Sequence, residues 1–420
     1  MVAETPKPSD VPMVVGLGDP VMDILAQVSA EWLTTVAPEP GGCLPVSPKE
    51  MEELLASAAT QSQLDRIPGG SAANVVKGIA QIAGADARCS FVGMVAKDET
   101  GAEYRRKVSA CGVQPLLLES SSGAPSASAV CFVTPDGQRT MRTCLGASLE
   151  LQTASMLPRG WAKGCRLLHA EGYCLYRPQL AREMMCAARA TGALVSLDLA
   201  SFELVRNCKA ALLGLLKDGL VDLIFANEEE AVTLANELDL PLEAEADAAA
   251  NGGSAAVAAA LLGAGGAVSE VDAKVAAAQR FLLSPEGGRC QVAVTSLGAR
   301  GCVARGADGE LGASPACRVK VVDTIGAGDF FTAGFLAAYL RGGSLQQCAA
   351  AGCASGCEAV QAKGAELPAE SFERLRAAMG RILITEATSA SSAAAGKGEQ
   401  AGNGKQAVAV EASSAVPVLV

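Results

Sequence analysis

Apolar positions along the first hundred residues follow two periods, one typical of strands and one typical of helices. Residues 13–28 (MVVGLGDPVMDILAQV) predict a buried strand that turns at residues 16–20 and resumes as an extended segment. Residues 71–84 (SAANVVKGIAQIAG) place apolar side chains at helical spacing and stop at Gly84, which predicts a helix packed on a sheet. Residues 88–101 (RCSFVGMVAKDETG) predict the next strand.

Short strands follow, and then a regular alternation of strands and helices. Residues 115–144 predict a set of short strands with a turn at Pro135-Asp136-Gly137. The alternation beyond them implies right-handed crossovers and a mostly parallel sheet. Two long helices end the pattern, and the second opens with a capping box of Ser344 and Gln347. The predicted strands cover 166–173, 193–200, 221–227, 290–298 and 300–306, with helices over 177–192, 203–217 and from 228 onward.

Three segments contain few of the large apolar residues that a packed core requires. Residues 1–11 are polar and contain proline, which predicts a loose N-terminal arm. Residues 238–272 are rich in alanine and glycine with scattered acids, and they predict an insertion. Residues 384–420 are rich in alanine, serine and glycine, and they predict a disordered tail. The folded domain is therefore expected to span 12–383.

The charge and hydropathy of the chain argue against two classes of partner, nucleic acids and membranes. Its 420 residues are half hydrophobic and carry a formal net charge of −11, which argues against a nucleic-acid-binding surface. The longest weakly polar stretch, residues 255–268, is too short and too often broken by glycine to span a membrane. We expect a soluble, cytoplasmic protein that binds neither nucleic acid nor membranes. An organellar location stays open, because residues 1–11 would suit only a short or atypical transit peptide.

The cysteine and histidine content excludes several catalytic classes. Fifteen cysteines are scattered through apolar segments of a long chain, which favours a reducing compartment over a disulfide framework. Cys348, Cys353 and Cys357 lack the C-x-x-C spacing of zinc sites, so we interpret them as small buried thiols of a helix. With His169 as the single histidine, Ser-His-Asp or Cys-His catalysis is not expected.

Residues 321–340 (VVDTIGAGDFFTAGFLAAYL) place two glycines and an acid directly before a long apolar helix. In one interpretation the glycines form a loop and Asp329 is a favourable residue in the first helical turn. In the other, Gly326 and Gly328 expose backbone amides to a phosphate at the helix N-terminus, and Asp329 accepts a proton from the attacking group. The second interpretation predicts phosphoryl transfer to a hydroxyl.

Three further motifs lie at predicted strand ends or helix starts. Residues 68–74 (PGGSAAN) suit either a tight turn or backbone that a polyhydroxyl ligand can approach. Residues 226–231 (ANEEEA) end a buried strand with an amide and three acids. These acids are either favourable charges at the start of a helix or ligands of Mg²⁺. Residues 295–301 (TSLGARG) suit nucleotide phosphates. The pair Gly16 and Gly18 lacks the third glycine of a dinucleotide-binding fingerprint, because residue 21 is valine.

Together and in this order, the motifs resemble the ribokinase-like carbohydrate and nucleoside kinases, the phosphofructokinase-B family. The resemblance runs from about Met13 to Ile382, and GGSAAN and DTIGAGD correspond to the two signatures of that family. It implies a three-layer α/β/α fold with a central, mainly parallel sheet. A small β lid would be built from parts of 19–45 and 115–145.

The resemblance also implies roles for individual residues. Asp329 would be the catalytic base, with the amides of Gly326, Ala327 and Gly328 as an anion hole and Arg139 approaching the phosphates from the lid. The acceptor would contact Asp19, Asp23, Gly69, Gly70 and Asn74. ATP would contact Asn227, Thr295, Gly298, Gly326 and Gly328. Asn227 and Glu230 would organise Mg²⁺ largely through water, and Asp323 and Thr324 match positions linked to monovalent-cation (K⁺) activation.

The expected reaction is therefore ATP-dependent phosphorylation of an alcohol group of a small nucleoside or sugar, by a monomer or homodimer. Residues 16–24 (GLGDPVMDI) and 139–148 (RTMRTCLGAS) look closer to adenosine-kinase-like members, which favours a nucleoside. A sugar kinase of the ribose or fructose type is the alternative, because GGSAAN is shared with sugar kinases. A non-catalytic interaction protein that keeps the kinase fold is a second alternative, against which the intact GAGD and Asn227/Glu230 argue.

Overall fold

The structure is a computed structural model that describes residues 13–37, 43–135, 139–242 and 269–395, with only the main chain described for residues 385–395. The predicted N-terminal arm, the centre of the predicted insertion and the tip of the predicted turn at Pro135-Asp136-Gly137 lie outside these ranges.

A large sheet of nine strands forms the centre of the described chain, in the order β14-β13-β12-β11-β10-β9-β1-β5-β6. The neighbouring strands β6, β5, β1, β9, β10, β11 and β12 are parallel to one another. At the other edge, β13 pairs antiparallel with β12, and β14 pairs antiparallel with β13. The strands are β1 Met13–Leu17, β5 Arg88–Ala96, β6 Val113–Ser120, β9 Cys165–Glu171, β10 Leu194–Asp198, β11 Leu223–Asn227, β12 Val292–Ser296, β13 Cys302–Gly306 and β14 Leu311–Ser314.

Helices cover both faces of this sheet, because neighbouring strand residues point to opposite sides and both sets are apolar. On β11, Ile224 contacts one core and Phe225 the other. The first core packs α5 Pro178–Arg189, α6 Phe202–Asn207, α7 Lys209–Lys217, α8 Glu228–Glu237 and α9 Glu270–Leu283; the second packs α3 Ser71–Ala83, α4 Glu99–Ala110, α10 Ala327–Tyr339, α11 Leu345–Ala359 and α12 Ala369–Ala395. The expected three-layer α/β/α arrangement is confirmed.

A second sheet of five strands, whose members are called lid strands below, lies beside the first in the order β3-β8-β7-β2-β4. Trp32 packs edge-on against Phe132 in its small core, with ring centroids 5.3 Å apart. The elements are β2 Met22–Gln27, β3 Cys43–Pro45, β4 Asp65–Pro68, β7 Ser128–Val133 and β8 Arg139–Cys144, with helices α1 Ala30–Val36 and α2 Pro48–Ala58.

The lid was expected to come from parts of 19–45 and 115–145, and the small sheet includes one strand from outside these ranges. Strand β4 was not anticipated, and it pairs antiparallel with β2. Strand β6, which falls in the range expected to supply the lid, instead pairs with β5 as an edge of the large sheet. Its half-buried leucines, such as Leu116 and Leu118, pack on the large core, which explains the assignment.

Two helices extend into the ranges that composition assigned to the tail and to the insertion, and residues 396–420 of the predicted tail lie outside the described residues. The main chain of α12 continues to Ala395, past the expected start of the tail at residue 384. Helix α9 begins within the range assigned to the insertion, because Ser269 accepts a hydrogen bond from the Asp272 amide as its N-cap. The capping box of Ser344 and Gln347 at the start of α11 is confirmed. In the described parts of the chain, every helix is too short or too polar to cross a membrane.

Candidate active site

A cavity of about 280 Å³ opens where three neighbouring parallel strands end and α10 begins. The pairing of β10 with β11 and of β11 with β12 brings the ends of these strands to one edge of the sheet. In open α/β sheets such an edge is where ligands bind. The cavity is lined by Asp198, Asn227 and Ser296 from the strand ends and by Gly328, Asp329 and Thr332 from α10.

The N-terminus of α10 is not capped by a side chain. Gly326 takes the left-handed conformation there, with φ +74°, which favours glycine. A Cβ atom at Gly328 would meet nothing within 4 Å, and Gly328 lines the cavity. The Ala327 amide, in contrast, donates to the Thr324 carbonyl oxygen over 3.2 Å. Of the three amides expected to form an anion hole, that of Ala327 is therefore already used in a turn.

The Asp329 carboxylate is oriented by two side chains from the start of α3. Ser71 Oγ donates to Oδ1 and Asn74 Nδ2 donates to Oδ2, each over 2.8 Å. Burial raises the pKa of Asp329, whereas these two hydrogen bonds and the charge of Lys77 lower it. The GGSAAN and GAGD motifs, more than 250 residues apart, thus meet at one carboxylate.

Asn74 keeps an unused acceptor beside this carboxylate. Its side chain is buried, and among the described residues its Oδ1 atom has no hydrogen-bond partner. A buried acceptor of this kind is costly unless a ligand or water satisfies it. A hydroxyl group that donates to Asn74 Oδ1 would also lie close to Asp329.

Asp23 lies on the lid strand β2 against the two glycines of the GGSAAN motif. A Cβ atom at Gly69 would be 2.0 Å from Asp23 Oδ2, and one at Gly70 (φ +89°) would be 2.3 Å from the Asp19 carbonyl oxygen. Neither position has room for a side chain. Burial raises the pKa of Asp23 to about 7, although the charge of Lys77 acts in the opposite direction.

Asp19 does not share this environment. Its buried carboxylate accepts from Arg177 Nη2 over 2.5 Å. The amides of Asp19 and Ala72 each donate to the Glu171 carboxylate over 2.8 Å. Burial and the charge of Asp19 raise the pKa of Glu171 to about 8. Asp19 therefore belongs to a buried ionic network that supports the start of α3, and its carboxylate is already bound.

Lys77 was not singled out from the sequence, although it is the one cation in the apolar helix α3. Its buried ammonium group donates to the Pro68 carbonyl oxygen, and burial lowers its pKa. The Tyr104 hydroxyl donates to the next carbonyl oxygen, that of Gly69, over 2.8 Å. The two donors fix the peptides that join lid strand β4 to α3. A lysine inside an otherwise apolar helical pattern was the available signal.

Asn227 and Glu230 form a complete capping box at the start of α8. The Glu230 amide donates to Asn227 Oδ1 over 2.9 Å, and the Asn227 amide donates to Glu230 Oε2 over 2.8 Å. Asn227 Nδ2 also donates to Glu230 Oε1 over 2.7 Å. Burial and the negative charge of Asp198 raise the pKa of Glu230 to about 8.

Asp198, which sequence reasoning missed, ends β10 in the same cavity. Its carboxylate accepts from the Ala200 amide over 2.9 Å, and Ala200 has a positive φ of 62°. Burial, with a contribution from the charge of Asp329, raises the pKa of Asp198 to about 7. An acid directly after a buried strand is the same signal that drew attention to Asn227.

Thr295 does not face the cavity, contrary to the sequence-based expectation. Its side chain is buried on the other side of β12, where its hydroxyl accepts from Gln279 Nε2 over 3.0 Å. Because side chains alternate along a strand, the cavity is reached by Ser296 instead. Gly298 has a φ of +57°, and a Cβ atom there would meet nothing within 4 Å.

Arg139 pairs with Asp323, which changes the expectation for both residues. The Arg139 guanidinium contacts Asp323 Oδ1, while the amides of Ile325 and Gly364 each donate to the same carboxylate over 2.7 Å. Burial alone would raise the pKa of Asp323, but these partners lower it. Arg139, at the start of strand β8, thus binds the segment before α10. Its guanidinium group occupies the Asp323 carboxylate, which was expected to bind a monovalent cation. The neighbouring Thr324 is exposed.

Other polar groups of interest lie away from the cavity. His169 is buried in β9, bonded to Ser196 Oγ at 2.9 Å, and burial lowers its pKa to about 3, so it remains neutral. Cys348, Cys353 and Cys357 lie buried on α11, as expected. Within the described ranges, no three His, Cys, Asp or Glu side chains are arranged to hold a metal ion directly.

The sequence profile of the family described as pfkB family carbohydrate kinase matches residues 46–371. The chain belongs to this family. It is therefore a phosphotransferase with an alcohol group as acceptor, and ATP is the co-substrate that the kinase family implies. The resemblance that GGSAAN and GAGD indicated is confirmed.

Two adenosine kinases and a probable sugar kinase are similar to this pfkB kinase along nearly their whole length. Adenosine kinase 2 of Arabidopsis thaliana is 23% identical over 369 residues, which are 85% of this chain and 96% of the relative. Adenosine kinase from Sinorhizobium meliloti is 26% identical with a TM-score of 0.67, covering 88% of this chain and 99% of that one. A probable sugar kinase from Rhizobium etli is 24% identical with a TM-score of 0.69, covering 88% and 98%. The ribokinase-like fold is confirmed.

Proposed function

We propose that this pfkB kinase transfers the γ-phosphoryl group of ATP to a hydroxyl of a nucleoside, with adenosine as the favoured acceptor. The observation that carries the chemistry is the Asp329 carboxylate, held by Ser71 and Asn74 at an open helix N-terminus. The nucleoside assignment rests on adenosine kinases that match over 96% and 99% of their length. Because a probable sugar kinase from Rhizobium etli also covers 88% of this chain, the acceptors tested below include sugars.

Asp329 acts as the general base in this proposal. One of its oxygens takes the proton of the acceptor hydroxyl, whose oxygen forms a bond to the γ-phosphorus while the bond from phosphorus to the β–γ bridging oxygen breaks and ADP leaves. Burial raises the pKa of Asp329, and a base of higher pKa is a stronger proton acceptor. The Ser71 and Asn74 hydrogen bonds keep the carboxylate aligned as the proton moves.

The negative charge of the transferring group is stabilised by the start of α10. Amides in the first turn of a helix have no intrahelical acceptor, and the helix dipole adds positive potential there. Gly328 lines the cavity, and the absence of a side chain there leaves room for a phosphate to approach the first turn of α10. The acceptor hydroxyls bind Asn74 Oδ1 and the Asp23 carboxylate, which packs against the main chain of Gly69.

The residues that line the cavity also fit Mg²⁺. Asp198 and Glu230 bring two carboxylates to one wall, and their mutual repulsion, together with burial, would be relieved by a cation. Oxygen donors with retained water are the usual Mg²⁺ environment, so Asp198, Asn227 and Glu230 would hold the ion largely through water. Bound Mg²⁺ would neutralise phosphate charge. A monovalent cation at Asp323 would compete with Arg139, so potassium activation is not part of this proposal.

ADP release from Mg·ATP by the full chain tests the proposal, with adenosine, inosine, guanosine, ribose and fructose as acceptors. We expect turnover with adenosine and its loss in Asp329→Asn. Asp86→Asn, the same change in a surface acid paired with Arg341, is the matched control and should keep full activity. The phosphorylated product is identified by mass spectrometry.

Each alternative gives a distinct result in this assay. Turnover confined to ribose or fructose would show a sugar kinase of the same family and overturn the nucleoside assignment. Absence of turnover with every acceptor, in a protein that still binds ATP by calorimetry, would contradict the adenosine proposal. Absence of ATP binding as well would favour a non-catalytic protein that keeps the fold.

A further inference from the structure

Four cysteines from three elements gather around the C-terminal half of α11. Cys302 of β13 and Cys353 of α11 lie with their sulfur atoms 3.6 Å apart, and both are buried. One helical turn further on, Cys357 meets Cys317, which lies in the segment between β14 and α10. The two pairs differ in access to solvent, because Cys317 is exposed.

Cys317 and Cys357 are in direct contact. The Cys317 amide donates to Cys357 Sγ over 3.0 Å, and the same sulfur lies 3.9 Å from the Cys317 carbonyl oxygen. A disulfide requires Cβ atoms about 3.5–4.5 Å apart. The Cys357 sulfur already lies against the main chain of Cys317, so formation of the bond requires the exposed Cys317 sulfur to approach it.

The contact also makes the two thiols chemically unequal. The hydrogen bond from Cys357 lowers the pKa of Cys317 to about 7, and it raises that of Cys357. At neutral pH a substantial fraction of Cys317 is therefore thiolate, the nucleophilic form of cysteine. An accessible thiolate beside a second thiol is the usual arrangement of a cysteine that is oxidised reversibly.

We propose that Cys317 and Cys357 form a redox-active pair that hydroperoxides convert to a disulfide. The Cys317 thiolate attacks an oxygen of the hydroperoxide, an S–O bond forms, the O–O bond breaks, and the departing alkoxide takes a proton and leaves as an alcohol. The Cys357 sulfur then attacks the Cys317 sulfur; the S–S bond forms, the S–O bond breaks, and the hydroxide leaves as water with the Cys357 proton. Two thiols lose two electrons and one peroxide is reduced.

The disulfide would join the segment before α10 to α11. The amides of Val322 and Asp323 already donate to the Val360 carbonyl oxygen over 2.7 and 3.2 Å, three residues beyond Cys357. A covalent bond at Cys317 would fix the other end of the same segment on the same helix. Because this segment leads directly to Gly326, oxidation would restrict the main chain that precedes the base.

Differential alkylation of the full chain tests the pair. Reduced protein is treated with hydrogen peroxide at neutral pH, free thiols are blocked with iodoacetamide, and peptides are mapped before and after reduction. We expect one cross-linked peptide pair that contains Cys317 and Cys357 and disappears on reduction. The buried pair Cys302 and Cys353 is the internal control, and it should stay reduced while the protein is folded.

Three variants separate this pair from nonspecific oxidation. Cys317→Ser and Cys357→Ser should each abolish the disulfide, whereas Cys353→Ser should leave it. In Cys357→Ser, Cys317 should accumulate as sulfenic acid trapped by dimedone, and its alkylation rate at pH 7 should fall about tenfold relative to that of surface Cys186, because the thiolate fraction drops. A disulfide between other cysteines, or a Cys317 that alkylates no faster than Cys186 in the parent chain, would overturn the proposal.

Hydrogen exchange tests the consequence for the chain. Amides in residues 318–325 should exchange several-fold more slowly in the oxidised protein and return to the original rate after reduction. Unchanged exchange in the presence of the mapped disulfide would show that the bond does not restrict this segment.

Discussion

Two helices begin at the same cavity, and their first turns are built in opposite ways. Helix α8 satisfies its amides with its own side chains, through the reciprocal bonds of Asn227 and Glu230. Helix α10 begins at Gly326 with no side-chain cap, and its acid, Asp329, is bonded to Ser71 and Asn74 of another helix. A capping box contributes about 1 kcal/mol to the stability of a helix. Helix α10 lacks this contribution.

The difference indicates which helix has to meet the phosphate. A helix start that lacks its own cap leaves amides for an external anion, as in phosphate-binding loops. The side chains of α8, in contrast, close its first turn, and Glu230 faces the cavity together with Asp198 as a negative wall suited to a cation. Substitutions in the two turns should therefore differ in kind: those in α10 should reduce the chemical step, and those in α8 should change the metal requirement.

The largest effect is expected from Asp329→Asn. Turnover should fall about 10²–10⁴-fold, the usual contribution of a positioned general base, because an amide cannot accept the hydroxyl proton. Asparagine can still accept from Ser71, so the thermal unfolding midpoint should change little. Steady-state ADP release and thermal unfolding measure the two quantities. Retention of more than a tenth of the activity would remove Asp329 from the role of base.

Gly328→Val should come next, with about a 10²-fold loss in kcat/KM, the loss seen when an oxyanion donor is removed. The side chain would enter open space, so folding should be preserved while the approach to the amide is blocked. Gly380→Val is the control, because Gly380 is exposed on α12 and also has nothing within 4 Å of its Cβ position. Equal activities of the two variants would contradict an open anion site on α10.

A smaller, pH-dependent effect is expected from Lys77→Met. The charge of Lys77 lowers the pKa values of Asp23 and Asp329, so both should rise when the charge is removed. The acidic limb of kcat/KM against pH should then move to higher pH by roughly one unit, with a greater loss at pH 6 than at pH 9. Lys107→Met is matched, since Lys107 also donates to a carbonyl oxygen of β4, that of Arg66. An equal loss at every pH would assign Lys77 a purely structural role.

In α8, Glu230→Gln should raise the Mg²⁺ concentration for half-maximal activity about tenfold while leaving kcat at saturating Mg²⁺ nearly unchanged. Glutamine keeps an oxygen that can accept from the Asn227 amide, so the capping box survives in part. Glu229→Gln changes the neighbouring acid of the same turn and is the control. Identical Mg²⁺ titrations of the two variants would exclude Glu230 from the metal site.

The smallest effect concerns stability against pH. The pKa of Glu230 is raised from 4.5 to about 8 in the folded chain. Its contribution to the free energy of unfolding is therefore fully present below pH 4.5 and is lost as pH rises through 8. The unfolding midpoint without Mg²⁺ should therefore fall between pH 5 and pH 8.5 by a smaller amount in Glu230→Gln than in the parent chain. Calorimetry at both pH values measures this difference, and a parallel fall in both proteins would contradict the pKa shift.

The sequence allowed the helix starts to be found, because their signals are local. The pattern at 321–340 predicted α10 and its open first turn, and the pattern at 226–231 predicted the end of β11 and the start of α8. Thr295 was named for the ATP site, and the structure places its side chain on Gln279 while Ser296 lines the cavity. Strand length and hydrophobicity do not fix which side chains of a strand with two buried faces point to the ligand.

The groups that were missed depend on contacts between distant parts of the chain. Glu171 supports Asp19 and Ala72 across 152 and 99 positions, and nothing near Glu171 in the sequence indicates those partners. Arg139 was assigned to the phosphates by resemblance, whereas its position is set by Asp323, a residue of another element. Local patterns carry no information about such pairings, so the roles of Asp23, Asn74, Asn227 and Glu230 remain predictions for experiment.

The capping of α3 by Glu171 has a consequence for how the protein is made. When residues 71–83 leave the ribosome, the carboxylate that accepts from the Ala72 amide has not been synthesised; it follows 99 positions later, or about 5–20 s at ordinary translation rates. Asp329 follows Ser71 by 258 positions. The acceptor half of the site therefore stays incompletely hydrogen-bonded until the segment that carries Asp329 has been synthesised, and the newborn chain cannot act as an enzyme before then.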